Sequence, residues 1–399
     1  MPQTTLSHAV FSDRYALRNS EGIAVESTWD EAATRLARAV SVADSPWTEA
    51  AFHEILQDFR FVPGGRIINA LGATARVTPY NCFVLPSPPD SCSGIMRSLE
   101  RWMEIQRRGG GVGINMSSLR PHGSLVRGVN GTSSGPLAWM ELFSTMTHKV
   151  IQQGGTRRGA AMLLLADHHP DIFAFIEAKR TPGVLEGANI SVAISDAFMD
   201  AVRMGANWDL HWGGEVFRTV PAASLWNQII ASAWASGEPG IVFLERMNKE
   251  SNASYCEEII ATNPCAEQPL GANAVCLLGS VNVLEHVDQG VLDITKLKAT
   301  VAVAVRFLDN VIDLAYYPFI ECEVSEKGLR RMGLGTIGLA DALIACGLRY
   351  GSEDAVRFTA LVFKTIRDAA YEASIELARE RGPFPWYQET EYLHSPFIL

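Results

Sequence analysis

From Pro63-Gly64-Gly65 onward the chain alternates short apolar segments, glycine turns and amphipathic stretches. Strands that follow one another through helical crossovers give this pattern, so the expected fold class is α/β. Ahead of it, residues 27–42 place a capping box, Thr28 with Glu31, before an apolar stripe. The first 60 residues therefore read as a small helical region.

A length of 399 residues with 47% apolar content permits one large core or two to three domains. The formal charge of −10 gives no general attraction to phosphate polymers, which argues against a nucleic-acid polymer as partner and points to small nucleotides if any are bound. No apolar run approaches the length of a membrane span, and the N-terminus lacks the basic-then-apolar form of a signal peptide. The expected location is the cytoplasm, without membrane attachment. Seven cysteines, an odd count scattered through the chain, do not form a secreted disulfide framework. Reduced thiols are expected, and no metal-ligand spacing is present.

Several elements are legible. Ile95, Leu99, Trp102 and Met103 mark one face of a helix that ends at Gly109-Gly110-Gly111. A second helix is expected from Pro136 to Gly154-Gly155. Residues 189–195 alternate as a half-buried strand does, and 240–244 read as a buried strand. Long helices are expected at about 295–316 and 353–381, the second closed by Gly382-Pro383. The terminal segment "GPFPWYQETEYLHSPFIL" holds apolar residues with no element to pack on, and the chain reads as cut short.

"GLGTIG" at 333–338 has the glycine spacing of a dinucleotide site, but the charged "SEKGLRRM" precedes it where a strand is required. "QRRGGGVGIN" (106–115) and "QQGGTRRGAA" (152–161) join glycines to paired arginines. Such loops suit phosphate or base edges, and equally suit ordinary helix termination. "ATNPCAEQPL" sets Asn263, Cys265 and Glu267 on one non-helical loop, since Pro264 denies its predecessor an easy helical conformation. The loop is suited to a polyhydroxylated substrate, against the plain reading of Cys265 as a small buried apolar residue. No His or Lys stands beside Cys265 to activate a nucleophile, a need that radical chemistry does not have.

"NPCAEQPL" followed by "CLLGSVNV" resembles the active-site loop and next strand of the large catalytic chain of ribonucleotide reductases, most closely the adenosylcobalamin-dependent class. "PGGRI" (63–67), "NCFVLP" (81–86), "GGGVGIN" (109–115), "GTSSGP" (131–136), "QGGTRRGAAM" (153–162) and "RRMGLGTIGLADAL" (330–343) resemble that family in its order. The resemblance implies a ten-stranded α/β barrel of two halves, with the radical cysteine on a loop through its centre. Domains would run 1–60 (helical), 61–255 (first half-barrel with effector loops), 256–275 (active-site loop) and 276–399 (start of a truncated second half).

The resemblance further implies that Cys265 becomes a thiyl radical and takes the 3′ hydrogen of the ribose, that Glu267 is the base on the 3′ hydroxyl, and that Asn263 binds the sugar hydroxyls. Cys82 and Cys276 would be the dithiol pair that ends as a disulfide. Asn81 and Gly111 match substrate contacts. Asp90 and Ser91 match the acidic side of a site for a deoxynucleotide or ATP effector, with Arg120 and Arg127 on its phosphate side. The loop of Gln153, Gly154, Gly155, Thr156, Arg157 and Arg158 matches the one that relays effector identity to the substrate base. Cys92, Cys256, Cys322 and Cys346 are left as structural.

The implied activity is vitamin B12-dependent reduction of ribonucleoside di- or triphosphates, with adenosylcobalamin as cofactor and a thioredoxin- or glutaredoxin-type reductant, in a homo-oligomer. Such chemistry demands a site closed to water. One departure is Leu277, where the family usually has Asn. The expected absence of the second half-barrel implies a complementing chain that carries it. Two other readings stand: a chain of the class that takes its radical from a separate subunit, and a silent nucleotide-binding regulatory chain. An ordinary thiol oxidoreductase is disfavoured by the lack of a CxxC pair.

Overall fold

A computed structural model describes residues 5–150 and 159–393. The chain forms two compact units, one of the residues up to Asn81 with Cys276–Tyr387, the other of Cys82–Val275 with the chain from Gln388 onward.

The first unit begins with three helices, Thr5–Arg14, Trp29–Ser41 and Trp47–Gln57. The second of them starts on the expected capping box: Thr28 Oγ1 accepts the Glu31 amide at 3.3 Å, and Glu31 returns by accepting the Thr28 amide at 3.2 Å. A three-stranded sheet follows, in which Leu278–Asn282 lies antiparallel to Phe61–Pro63 and parallel to Gly333–Ile337. The long helices Ile294–Leu314 and Glu353–Arg381 cover it. Val281, Leu297, Val301, Val305, Val362 and Ile366 close into one core, each burial stabilising by about 1.5–3 kcal/mol. "GLGTI" is thus itself a strand, and Gly338, at φ 71°, turns the chain into the helix Leu339–Ala345.

The terminal segment does find a place to pack. Trp386 lies so close over Gly328 that a Cβ there would come within 2.4 Å of its ring, and the Trp386 amide donates to the Gly328 carbonyl at 3.0 Å. No turn signal in the sequence announces this contact; it requires the bare Gly328 surface, which only the fold brings near.

The second unit is built on five parallel strands, ordered in space as Gly240–Val242, Asn189–Ala193, Ala161–Ala166, Gly111–Asn115 and Cys82–Val84. A sixth strand of this sheet, Val275–Cys276, begins where the chain leaves the unit. All six residues of Ala161–Ala166 are buried, as a parallel strand covered on both faces must be. Residues 189–195, expected to be half-buried, instead form the strand Asn189–Ala193 with its last four residues buried. Serine can occupy the second face, so alternation misleads. Residues 240–244, expected to be buried, form an edge strand of which only Val242 is buried.

The helix Cys92–Arg107 is capped by Ser91, whose hydroxyl accepts the Gly94 amide at 3.1 Å, and buries Ile95, Leu99, Trp102 and Gln106. Met103, expected on that face, is exposed because the stripe continues through position 106. The helix from Gly135 to Thr145 passes into a π-turn, Met146–Val150; its expected end at Gly154-Gly155, and the loop Gln153 to Arg158 as a whole, lie outside the described residues. Among the described residues no helix is long and apolar enough to cross a membrane.

Candidate active site

The loop of interest leaves the strand Ile259–Thr262 and returns as Pro269–Gly271, its antiparallel partner. Between them Asn263 is fully buried and organises the turn. Its backbone amide donates to the Gln268 carbonyl at 3.1 Å, and its Oδ1 accepts the Gln268 amide at 3.0 Å. The Ala266 amide donates to the Asn263 carbonyl at 3.0 Å, with Ala266 at φ 67°. That left-handed residue is what swings the chain back and sets Glu267 beside Asn263. The Asn263 Nδ2 donates to Glu267 Oε1 at 2.6 Å and also reaches the Cys82 sulfur at 3.4 Å.

Two glycines let this loop lie against the sheet. A Cβ on Gly113 would sit 1.8 Å from the Thr262 carbonyl oxygen, and one on Gly111 would sit 2.8 Å from the Pro264 ring. From Gly111 "GGGVGIN" is a strand whose alternate glycines face the incoming backbone. Asn115 Nδ2 donates to the Ile260 carbonyl at 3.1 Å, and Asn189 Nδ2 to the Pro264 carbonyl at 2.8 Å. Cys82 pairs in register with Gly111, and Met162 with Asn189, so the loop rests across the first residues of adjacent strands.

The structure thus brings together Asn263, Glu267, Cys82 and Gly111, with Cys265 on the same turn. Cys265 and Glu267 are exposed, while Cys82 is buried. The water exclusion expected around Cys265 is not supplied by the described residues, among which it remains exposed. In the other unit, the Asn81 amide donates to the Cys276 carbonyl at 3.1 Å, and Cys276 is buried. Two buried oxygens, Asn81 Oδ1 and Thr262 Oγ1, have no hydrogen-bond partner among the described residues. Such atoms are costly to leave unmatched and suit a polar ligand. All seven cysteines are thiols.

A second cluster lies at the start of the helix Cys92–Arg107. The Arg120 Nε donates to Asp90 Oδ2 at 2.7 Å, and the Arg120 amide donates to Asp90 Oδ1 at 3.1 Å. Ser91 caps the same helix, so Asp90, Ser91 and Arg120 meet at one helix N-terminus. Arg127 is exposed, just beyond the short strand Leu125–Val126.

Sequence reasoning missed Gly113, Asn115 and Asn189. A period-two glycine pattern in a strand is a signal for Gly113; Asn189 carries none, because its partner is a backbone carbonyl 75 residues away.

Residues 1–76 match the family described as "Ribonucleotide reductase, all-alpha domain", and residues 80–397 match "Ribonucleotide reductase, barrel domain". The chain is 38% identical, over 97% of its length and 57% of the relative's, to a vitamin B12-dependent ribonucleoside-diphosphate reductase of Mycobacterium tuberculosis. It is 37% identical to a protein of the same name from Thermoplasma acidophilum, over 84% of this chain and 44% of that one. A ribonucleoside-diphosphate reductase large subunit of Variola virus is 35% identical over 79% of this chain and 45% of its own. The chain therefore spans about half the length of the curated relatives it matches. With both domain matches in sequence order and a relative 38% identical over nearly the whole chain, the chain belongs to the family of ribonucleotide reductase large chains.

Proposed function

We propose that the chain carries the radical half of a ribonucleotide reductase, which converts ribonucleotides into 2′-deoxyribonucleotides. The observation that supports it most directly is the hydrogen-bonded set of Asn263, Glu267 and the Cys82 sulfur on the turn that holds Cys265. In the proposed reaction a thiyl radical at Cys265 takes the 3′ hydrogen of the ribose, while Glu267 accepts the proton of the 3′ hydroxyl. The 2′ hydroxyl leaves as water. Cys82 and Cys276 give up two hydrogens and join as a disulfide, and Cys265 returns hydrogen to C3′. Asn263 holds the sugar hydroxyls and the Glu267 carboxylate; Asn81 and Gly111 complete the substrate contacts.

Two of the relatives are named as vitamin B12-dependent, and adenosylcobalamin would supply the radical here when bound. An exposed Cys265 fits a group that approaches from outside this chain. The same exposure argues for a complementing polypeptide, since radical chemistry needs water kept away. Among the described residues the strand Gly333–Ile337 has a neighbour on one side only, and Ile320, Val324 and Ile344 are exposed in the same unit. An open strand edge and exposed apolar residues both invite further chain to pack on them. Asp90, Ser91, Arg120 and Arg127, with the loop Gln153 to Arg158, form the proposed effector site. A thioredoxin- or glutaredoxin-type protein would reduce the disulfide, in a cytoplasmic homo-oligomer.

The test is deoxynucleotide formation from a ribonucleoside diphosphate or triphosphate, with and without adenosylcobalamin and with and without a polypeptide that supplies the second half-barrel. Activity is expected only with both. Activity that depends instead on an iron- or manganese-containing subunit overturns the class, and full activity of the chain alone overturns the need for a partner.

A further inference from the structure

The backbone on both sides of Arg120 is fixed by two residues from a different part of the chain. His169, 1% exposed, follows the strand Ala161–Ala166. Its Nε2 donates to the Leu119 carbonyl at 2.9 Å, while its Nδ1 accepts the Asp171 amide at 3.1 Å. Only the neutral ring with hydrogen on Nε2 satisfies both bonds. Burial pushes the imidazole pKa down, which favours that form. Asp171 in turn accepts the His122 amide on its Oδ2 at 2.8 Å. Leu119 and His122 are thus both held, with Arg120 between them.

The guanidinium then has little freedom of placement. Its Nε is on Asp90, and an Nη donates to the Leu125 carbonyl at 3.3 Å, yet the side chain keeps 29% exposure. The segment before it is tied down as well. Ser118 Oγ donates to the Pro88 carbonyl at 2.7 Å, and Trp212 Nε1, from the hairpin strand Asn207–Trp212, donates to the Ser118 carbonyl at 3.3 Å. An anion that arrives at Arg120 meets a cation already oriented, so less ordering is left to do on binding.

We propose that His169 and Asp171 are positioning residues for nucleotide binding: they fix residues 119–122 so that Arg120 presents its guanidinium to the phosphates of a nucleoside triphosphate. This rests on the reading of Asp90, Ser91 and Arg120 as the effector site. Neither residue touches the nucleotide; each acts through the backbone that carries Arg120.

The experiment is calorimetric titration of the purified chain with dTTP, well below its melting temperature, for the wild type and for Arg120→Ala, Asp171→Ala, Asp171→Asn and His169→Gln. Circular dichroism establishes that each variant is folded. Arg120→Ala and Asp171→Ala are expected to weaken dTTP binding by about tenfold or more. Asp171→Asn keeps an oxygen acceptor for the His122 amide, and His169→Gln keeps a donor for the Leu119 carbonyl, so both should stay within about threefold of wild type. A purely architectural role would shift melting temperature without this pattern of loss and rescue. Should Asp171→Ala bind as wild type while Arg120→Ala is weakened, or Asp171→Asn bind as poorly as Asp171→Ala, the positioning role is overturned and the effector site stands. Should the wild type not bind dTTP, or Arg120→Ala bind it unchanged, the effector site itself falls and the positioning role with it.

Discussion

The side-chain amide of Asn263 lies 2.6 Å from the carboxylate of Glu267, four residues along a turn that neither helix nor strand geometry explains. A charge-assisted bond of this length holds the carboxylate in one orientation. Glu267→Gln keeps the shape and loses the base. Turnover in the assembled enzyme is expected to fall by about 10²–10⁴-fold with little change in substrate affinity. Unchanged kcat in Glu267→Gln would remove Glu267 from the proton transfer.

The proposed roles of the three sulfurs separate cleanly. Cys265→Ser should abolish deoxynucleotide formation, since an alcohol O–H is a far poorer hydrogen donor to a radical route than a thiol, and dTTP binding should persist. After one turnover without external reductant, peptide mapping of the wild type should show a disulfide between Cys82 and Cys276, two residues that are buried thiols in this structure. Turnover that proceeds with both of those thiols still reduced contradicts the dithiol assignment.

Gly113 should tolerate no side chain. A methyl group there would stand 1.8 Å from a backbone oxygen of Thr262, which no rotamer can relieve, so the loop or the strand has to move. Gly113→Ala is expected to destabilise by about 4 kcal/mol or more, as backbone clashes in a packed interior do. Gly128→Ala, with nothing within 4 Å of the added carbon, should change stability by less than about 0.5 kcal/mol. Denaturant melts of the two variants make the comparison, and equal stabilities would show that the loop does not lie on this strand.

How much of this was legible in the sequence depends on the range of the interaction. The capping box at Thr28 and Glu31 is local, and it formed as written. The long helix Glu353–Arg381 carried its own stop in Gly382. Asn189 to Pro264, Gly113 against Thr262 and Trp386 over Gly328 are contacts of high sequence separation, and no periodicity encodes them. The burial of Asn189–Ala193 went astray for a related reason: whether a strand has one covered face or two is decided by its neighbours, not by its own residues. The motif at Asn263, Cys265 and Glu267 was visible as residue types, but its geometry hangs on Ala266 in a left-handed conformation, which nothing about alanine announces.

The ion-pair group around Asp44 makes a different kind of prediction, about stability rather than chemistry. Asp44 receives Arg306 at 2.9 Å and Arg381 at 2.5 Å, with only 8% of its side chain exposed. Burial raises its carboxyl pKa, but the Ser45 amide, donating at 2.7 Å, and these cations together hold it below the ordinary range. Removing the anion takes away the charge on which both guanidinium groups converge and leaves Arg306 with Glu380 and Arg381 with Asp309. Asp44→Asn is expected to cost about 3–5 kcal/mol, the range for breaking one side of a buried pair. A loss below about 1 kcal/mol in a urea melt would mean that solvent screens the group as it does a surface pair.

His286 should make stability depend on pH in a definite direction. Its Nδ1 donates to the Asn282 carbonyl at 2.8 Å and its Nε2 accepts the Thr300 hydroxyl at 2.9 Å, both in the interior. Burial holds the ring pKa below its ordinary value, so the folded state keeps a neutral imidazole while the unfolded chain, with a pKa near about 6.5, takes up a proton. Below that pH the unfolded state binds more protons, and stability falls as pH drops toward the folded pKa. Above about pH 7.5 neither state is protonated and the dependence vanishes. One ring contributes at most about 1.4 kcal/mol per pH unit in this window. His169 acts in the same sense, so the comparison of wild type with His286→Gln isolates one ring. Urea melts at pH 7.5, 6.5 and 5.5 should show a shallower loss in the variant; identical slopes would mean that His286 is protonated in the folded protein despite its two hydrogen bonds.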